Sequence, residues 1–499
     1  MRQRPAPLRP CASRAEYRSE FSVLHRLVFS KWYDTRPLSG APDGPRFCPP
    51  ATPPGQRPRC SMHLRPHAMT RHVVIIGAGI VGAVSAIEAL RAGLRVTLVE
   101  AGPAGGEQAA SYGNAGWLSS HSVIAPAEPG LWKKVPGFVL DPLGPLAIRM
   151  RYLPQVAPWL MRYLASGWTE ARVEKTAHAL RALLVDAPAL HHDLASAAGV
   201  AALIERRGLL HAYPSRSDFE ADGLAWRVRH KTGVRWQELQ ADALHALEPA
   251  LHPRYQFGVW VGEAGHCRDP GAYVGALVAH ACAQGAASIC AQATGFRFES
   301  GRLRAVRAAG ADIGCDAAVI AAGAHSRALA ALAGDLLPLE TERGYHVIVD
   351  APQMLPERPQ LPQLPVMVSD CKAGATPMER GLRIAGQVEI AGLKAAPNWR
   401  RAEILRDHLL RIFPGLPAPL PAASLHYWMG HRPSMPDGRP CIGYASASRD
   451  VVHAFGHGHI GLASAARTGR LVAQLLSDRT PEIDLAPFDP RRFARPFAP

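Results

Sequence analysis

Three glycines set the first chemical expectation. Gly77, Gly79 and Gly82 stand in the pattern G-x-G-x-x-G, and Glu100 follows eighteen residues after the last of them. Gly77 permits a tight turn, Gly79 lets backbone approach a pyrophosphate, and Gly82 lets a helix pack closely on a strand. A helix starting there offers free N–H groups and a partial positive charge to phosphates. A carboxylate at Glu100 is placed to accept from ribose hydroxyls, and it argues against a 2′-phosphate and hence NADP. A second glycine-rich turn, Gly456-His-Gly458-His-Ile-Gly461, lies far downstream. Its two histidines, at i and i+2 in a loop, are poor metal geometry without partners, and no metal site is expected.

The elements around these residues suit the same task. His72–Ile76 is a short apolar, β-branched run, as in a parallel strand buried on both faces. Ala83–Ala92 reads as a helix closed by Gly93, and Arg95–Val99 as a second strand ending at Glu100. Further on, Ala317–Gly323 is an apolar strand stopping at a glycine. Val451–Phe455 is another, running into the second glycine turn and a helix over Leu462–Leu476. Asp269 and Pro270 read as the N-cap and first residue of a helix to Gln284. Ser300-Gly301 reads as a hairpin turn. Between these, Leu131–Arg151 and Thr176–Gly199 show helical patterning. Tyr152–Trp168 spaces its large apolar residues helically, as ordinary core or, on the functional reading, a pocket or membrane-contact helix. Gly208–Tyr213 and Tyr255–Val261 read as strands.

The chain has 499 residues, 47% hydrophobic and 19% charged, enough for two or three domains. It has no charge-free apolar run of about 18 residues, so a spanning helix is not expected. The net charge of +15 is uneven: residues 1–68 hold 12 Lys/Arg against 4 Asp/Glu, together with 12 prolines. That stretch is expected to be a disordered or artefactual leader rather than a targeting signal, with folded chain starting near Met69. The remainder has no basic run interleaved with aromatics, so no nucleic-acid partner is expected. Nine cysteines with no C-x-x-C fit neither a disulfide framework nor a zinc site, and point to a reducing compartment.

The glycine fingerprint alone does not separate FAD from NAD. Ser111-Tyr-Gly-Asn114-Ala-Gly116 is a polar loop placed where flavoproteins wrap the diphosphate and reach the isoalloxazine. To it are added Ala317–Gly323, Arg343-Gly344-Tyr345, Trp428-Met-Gly-His-Arg432-Pro-Ser-Met-Pro-Asp437-Gly438 and the terminal glycine turn. With these motifs in order over residues 72–493, the chain resembles the D-amino-acid oxidase-like superfamily of flavoenzymes. Its nearest likeness there is to the small-subunit branch of bacterial D-amino acid dehydrogenases. The leader and two Pro-rich stretches, Ala351–Pro365 and Pro414–Pro421, depart from the pattern and read as surface loops.

The resemblance implies an α/β fold: an FAD-binding Rossmann-like doubly wound domain interleaved with a mixed-sheet α+β substrate domain. On that plan 69–118, 265–335 and 425–499 build the FAD-binding domain and C-terminal tail. Residues 119–264 and 336–424 build the substrate domain. The resemblance implies non-covalent FAD held by Gly77, Gly79, Gly82, Glu100, Ser111, Asn114, Gly116, Gly323, Gly456, Gly458 and Gly461. It implies hydride transfer from the α-carbon of a small D-amino acid to flavin N5, giving the 2-oxo acid and ammonia. Electrons would pass to a quinone or other acceptor; an oxygen-using sarcosine, glycine or proline-type amine oxidase is the alternative. Arg432 matches the carboxylate-binding arginine of that family, and its planar fork suits a carboxylate. Tyr345 could place its hydroxyl on the same group. The helix after Gly461 would aim its N-terminal dipole at the flavin N1–C2=O edge. A cytoplasmic enzyme is expected, with peripheral contact at the inner face of the cytoplasmic membrane as the furthest extension.

Overall fold

The apolar run at His72 becomes β1 (His72–Ile76), buried at all five positions because strands flank it on both edges and helices cover the sheet. The computed structural model describes residues 70–125, 127–350 and 361–494. The expected 1–68 leader lies outside the described residues, as does 351–360 of the first Pro-rich stretch. After β1 come α1 (Ile80–Arg91) and β2 (Arg95–Glu100). Helices α2 (Leu153–Ser166), α3 (Glu170–Leu184) and α4 (Ala187–Ala197) precede strands β3 (Leu209–Tyr213) and β4 (Phe257–Val261). The chain then makes α5 (Pro270–Ala283), β5 (Ala287–Cys290), the hairpin β6 (Ala293–Glu299) and β7 (Arg302–Ala308), and β8 (Ala317–Ile320). Next are β9 (Glu340–Asp350), β10 (Val366–Val368), β11 (Ala373–Pro377), β12 (Gly381–Ile390), α6 (Arg400–Ile412) and β13 (Leu425–Ser434). Finally β14 (Cys441–Tyr444), β15 (Val451–Phe455) and α7 (Gly461–Leu476) are laid down.

Six of these strands form one sheet in the order β5-β2-β1-β8-β15-β14, parallel except at the β14–β15 edge. Helices α1 and α7 cross on one face so closely that a Cβ on Gly469 would lie 2.6 Å from the Val84 side chain. Asp269 caps α5 as its residue type predicts, its side chain accepting from the Ala272 N–H at 3.0 Å. The Ser300-Gly301 turn has φ +50° and +75°, the left-handed pair that a two-residue hairpin favours.

The second, mixed sheet runs β13-β9-β12-β11-β10-β3-β4 and ends at Gln237–Gln240, with Leu146–Ile148 joining β12 in parallel. Strand alternation divides β9 between two environments. Tyr345, Val347 and Val349 pack beneath α6 with Leu405, Leu409 and Ile412. Gly344 and His346 face the other way, toward the glycine turns.

Several expectations need correcting. The boundary at 425 falls too early: β13 pairs with β9 along ten residues, so the second sheet keeps the chain through Ser434. Leu131–Arg151 is no continuous helix, because Pro142, Gly144 and Pro145 interrupt it. A 3₁₀ turn (Leu131–Lys134), a short helix (Val135–Leu140) and the strand Leu146–Ile148 take its place. Thr176–Gly199 is split between α3 and α4 near Pro188. The stretch Pro414–Pro421 is not wholly surface loop, since Leu416 and Leu420 are buried in the core under α6.

Candidate active site

Strand β1 delivers the chain into a turn that only glycine can make. Gly77 has φ +101°, and its N–H donates to the Val99 carbonyl at 2.8 Å. A Cβ on Gly77 would lie 2.4 Å from the Ala321 carbonyl oxygen, and one on Gly82 only 1.8 Å from the Gly77 carbonyl oxygen. Gly79 caps α1 without a side chain, and its surface is cavity wall. Glu100 Oε2 accepts from the Ala78 N–H at 2.7 Å, and Ser111 Oγ accepts from the Ile80 N–H at 3.0 Å. The acid and the serine therefore brace the glycine turn itself. Asn114 Oδ1 accepts from the Gly116 N–H at 2.9 Å, closing a turn in which Gly116 has φ +79°.

Three side chains from the second sheet pin this loop, and local sequence marks none of their roles. Arg383 of β12 donates to the carbonyls of Tyr112 and Asn114, and burial pushes its pKa down to about 10. His346 of β9 donates from Nδ1 to the Gly113 carbonyl at 3.1 Å. Trp428 of β13 stacks on His346 with ring centroids 5.0 Å apart, and its indole N–H donates to the Glu107 carbonyl. Gly113 and Gly430 make room for that ring, since a Cβ on either would sit 1.9 Å from it.

These walls enclose a continuous cavity of about 1090 Å³, reaching from the glycine turn and Glu100 to Arg432. Gly323, Gly458 and Gly461 line it; Gly456, with φ +85°, stands behind against Met435. Its bare backbone at two helix starts and its acid beside the first fit an extended dinucleotide. His457 is buried, bonded to Thr468 at 3.1 Å and held down at about 3 by burial. Burial, and then the Arg432 charge, lowers His459 to about 4.

Arg432 stands directly opposite Glu342 on β9 and lies across Gly344, where a Cβ would fall 2.6 Å from its Cζ. The guanidinium lines the cavity, and no acceptor among the described residues lies within hydrogen-bond or ion-pair distance. Burial lowers its pKa while Glu342 pulls the other way; burial likewise raises the Glu342 carboxyl against the pull of Arg432. A planar fork facing a cavity has the donor geometry that matches a carboxylate.

Tyr345 does not join it. Alternation on β9 turns its ring to the opposite face, where the hydroxyl donates to Glu389 at 2.7 Å and accepts from the Asn398 N–H at 3.0 Å. A further polar cluster meets the cavity near β3: His121 and His211 share a 2.9 Å Nε2–Nε2 hydrogen bond, and Arg229 sits over the Trp226 ring. Burial holds both histidines well below their ordinary pKa, assisted by the Arg229 charge. These residues are too dispersed along the chain for their spacing to announce them.

Known proteins share this architecture. The sequence matches the FAD dependent oxidoreductase (DAO) family over residues 72–475. It is 64% identical over 423 residues to a "D-amino-acid oxidase" of Bradyrhizobium diazoefficiens, covering 85% of this chain and 99% of that one. It is 31% identical to a "D-amino acid dehydrogenase" of a Methylobacterium strain, covering 85% of this chain and 99% of that one. Among solved structures, glycine oxidase from Geobacillus kaustophilus superposes with a TM-score of 0.62 at 22% identity, over 84% of this chain and 98% of that one. The chain, with its glycine turns converging on one elongated cavity, belongs to the DAO family of FAD-dependent oxidoreductases.

Proposed function

We propose that this protein oxidises a small D-amino acid to the imine, which water converts to the 2-oxo acid and ammonia. The carrying observation is the unpaired Arg432 guanidinium on the cavity wall. It would bind the α-carboxylate bidentately, with Gly344 leaving the space in which the fork lies flat. Bound FAD supplies the two-electron acceptor for the α-hydride. Gly77 and Gly79 would receive its phosphates, with Gly82 letting the helix pack against the turn and Glu100 and Ser111 keeping that turn in shape. Gly456–Gly461 would present the N-terminus of α7, whose dipole favours negative charge nearby. The D configuration is favoured by the names of the relatives at 64% and 31% identity.

Flavin bleaching without oxygen, across paired D- and L-amino acids, proline isomers and N-methylglycine, tests this. Bleaching by L or N-methyl substrates alone would overturn the stereochemical assignment. The electron acceptor has two readings. A quinone or similar acceptor matches the relatives named dehydrogenases, and oxygen matches the relative named an oxidase. Stoichiometric hydrogen peroxide under air selects the second.

A further inference from the structure

The cavity wall carries a second guanidinium that the chemistry at Arg432 does not use. Arg229 comes from the helix Gly223–Lys231 and lines the cavity near β3. Its Nε donates to the His121 carbonyl at 3.2 Å, and its Cζ lies 4.4 Å from the centre of the Trp226 ring. Among the described residues no carboxylate stands within ion-pair distance of it, and Nη1 and Nη2 have no hydrogen-bond acceptor. Burial pushes its pKa down to about 10, against the pull of Tyr213 and Asp222. The neighbouring cations are already paired: Arg181 forks onto Glu263 at 2.7 and 3.0 Å, and Lys372 meets Asp222 at 3.7 Å. A desolvated charge without a counter-charge is costly, and an anion in the cavity would relieve that cost.

The second sheet connects the two arginines. Arg432 lies across Gly344 on β9; beyond it come Ala385 on β12, Gly374 on β11, Met367 on β10 and His211 on β3. From Ala385 onward each stands directly opposite the next in register, and all five line the cavity. None of them is charged. His211 and His121, kept neutral by burial, share a hydrogen bond and add polarity without a charge. Such a floor accepts methylene groups along its length and an anion at each end. The span from β9 to β3 is four strand spacings, about 19 Å before either guanidinium reaches inward. A second carboxylate on the β-carbon would fall short of Arg229, whereas one ending an extended side chain faces it.

We infer that Arg229 selects the substrate side chain, and that the preferred substrate is a D-amino acid whose side chain ends in a carboxylate, glutamate or a longer homologue. The inference rests on the assignment of Arg432 to the α-carboxylate and narrows the substrate class given above. The reaction is unchanged. The α-hydrogen leaves with its electron pair for the flavin, and water converts the imine to a 2-oxo dicarboxylic acid and ammonia.

The test uses the full-length flavin-loaded protein in two assays. Anaerobic rapid mixing compares D-glutamate and D-2-aminoadipate with the neutral D-glutamine and D-norleucine. Glutarate and butyrate, which lack the amine and are not oxidised, are titrated against the spectrum of the oxidised flavin. The dicarboxylates should bind on the order of tenfold more tightly than their neutral or single-carboxylate counterparts, as hydrogen bonds to a charged group supply. In Arg229→Gln that advantage should shrink to about twofold or less, and Arg229→Lys, keeping the charge, should retain part of it. The readout is the ratio within each protein, which a general loss of activity does not move. Equal or weaker binding of the dicarboxylates by the parent would overturn the inference, as would an unchanged ratio in Arg229→Gln. Reduction by neutral D-amino acids with no preference for the acids would remove the role of Arg229 and leave that of Arg432. Reduction by L-glutamate alone, with glutarate still favoured over butyrate, would remove the D configuration and uphold the Arg229 subsite.

Discussion

Gly344→Ala isolates the placement of Arg432 from its charge. The added Cβ would lie 2.6 Å from Arg432 Cζ and Nη2 and 2.9 Å from Nε, whereas ordinary contact begins at 3.4 Å. Backbone does not object, because Gly344 is absent from the glycines with left-handed φ. The fork must therefore move by roughly 1 Å, and misplacement of that size costs on the order of 10²-fold in catalytic efficiency, or about 2.7 kcal/mol. Arg432→Ala removes the cation altogether and should cost about 3 kcal/mol or more. Both variants should bind FAD, since neither residue belongs to the first glycine turn. Rapid mixing under anaerobic conditions, following flavin absorbance against D-amino-acid concentration, separates substrate Kd from the rate of reduction. If folded, yellow Gly344→Ala reduces with the parent's Kd and rate, Arg432 does not hold the carboxylate in the way the geometry suggests.

Other perturbations probe different links. Tyr345→Phe deletes a buried hydroxyl bonded to Glu389 and the Asn398 N–H; it should lower stability by about 1–2 kcal/mol with KM nearly unchanged. A KM rise on the order of tenfold would instead return this tyrosine to the substrate. Gly82→Val, colliding with the Gly77 carbonyl, should yield colourless protein, and retained flavin absorbance would contradict the role of that turn. Burial lowers His191, His266 and His459 to about 4, while unfolded histidine titrates near 6.5. Below about 6.5 the unfolded chain then binds protons that the folded one refuses, so stability should fall as pH drops toward about 4. Melting temperature measured across that window checks the sign, and a rise on acidification would refute it.

How much was legible depended on whether a residue's job is local. Gly77 and Gly82 announce themselves because backbone conformation and near-neighbour collisions are properties of a short segment. Asp269 does so because a cap bonds three residues ahead. Arg432 was legible through a motif, and its unpaired state only through the fold. Arg383, His346 and Trp428 act on a loop more than two hundred residues away, a distance over which no periodicity or spacing speaks. Tyr345 was misjudged for a related reason. Adjacency to Gly344 in sequence suggested adjacency in space, yet neighbouring positions on a strand point to opposite faces. The boundary at 425 failed likewise, because the partner that claims β13 is β9, some eighty residues earlier.

The parallel ladder β1–β8–β15 joins residues 72–76, 317–320 and 451–455. Its innermost contacts therefore close loops of well over one hundred residues, an ordering cost that short-range structure cannot offset in advance. During synthesis the first strand keeps one apolar edge unpaired until β8 leaves the ribosome, and β8 in turn waits for β15. Cofactor capture is thus a late event in the birth of this molecule. A ribosome stalled before residue 451 should carry a nascent chain unable to retain flavin, however complete its N-terminal glycine turn.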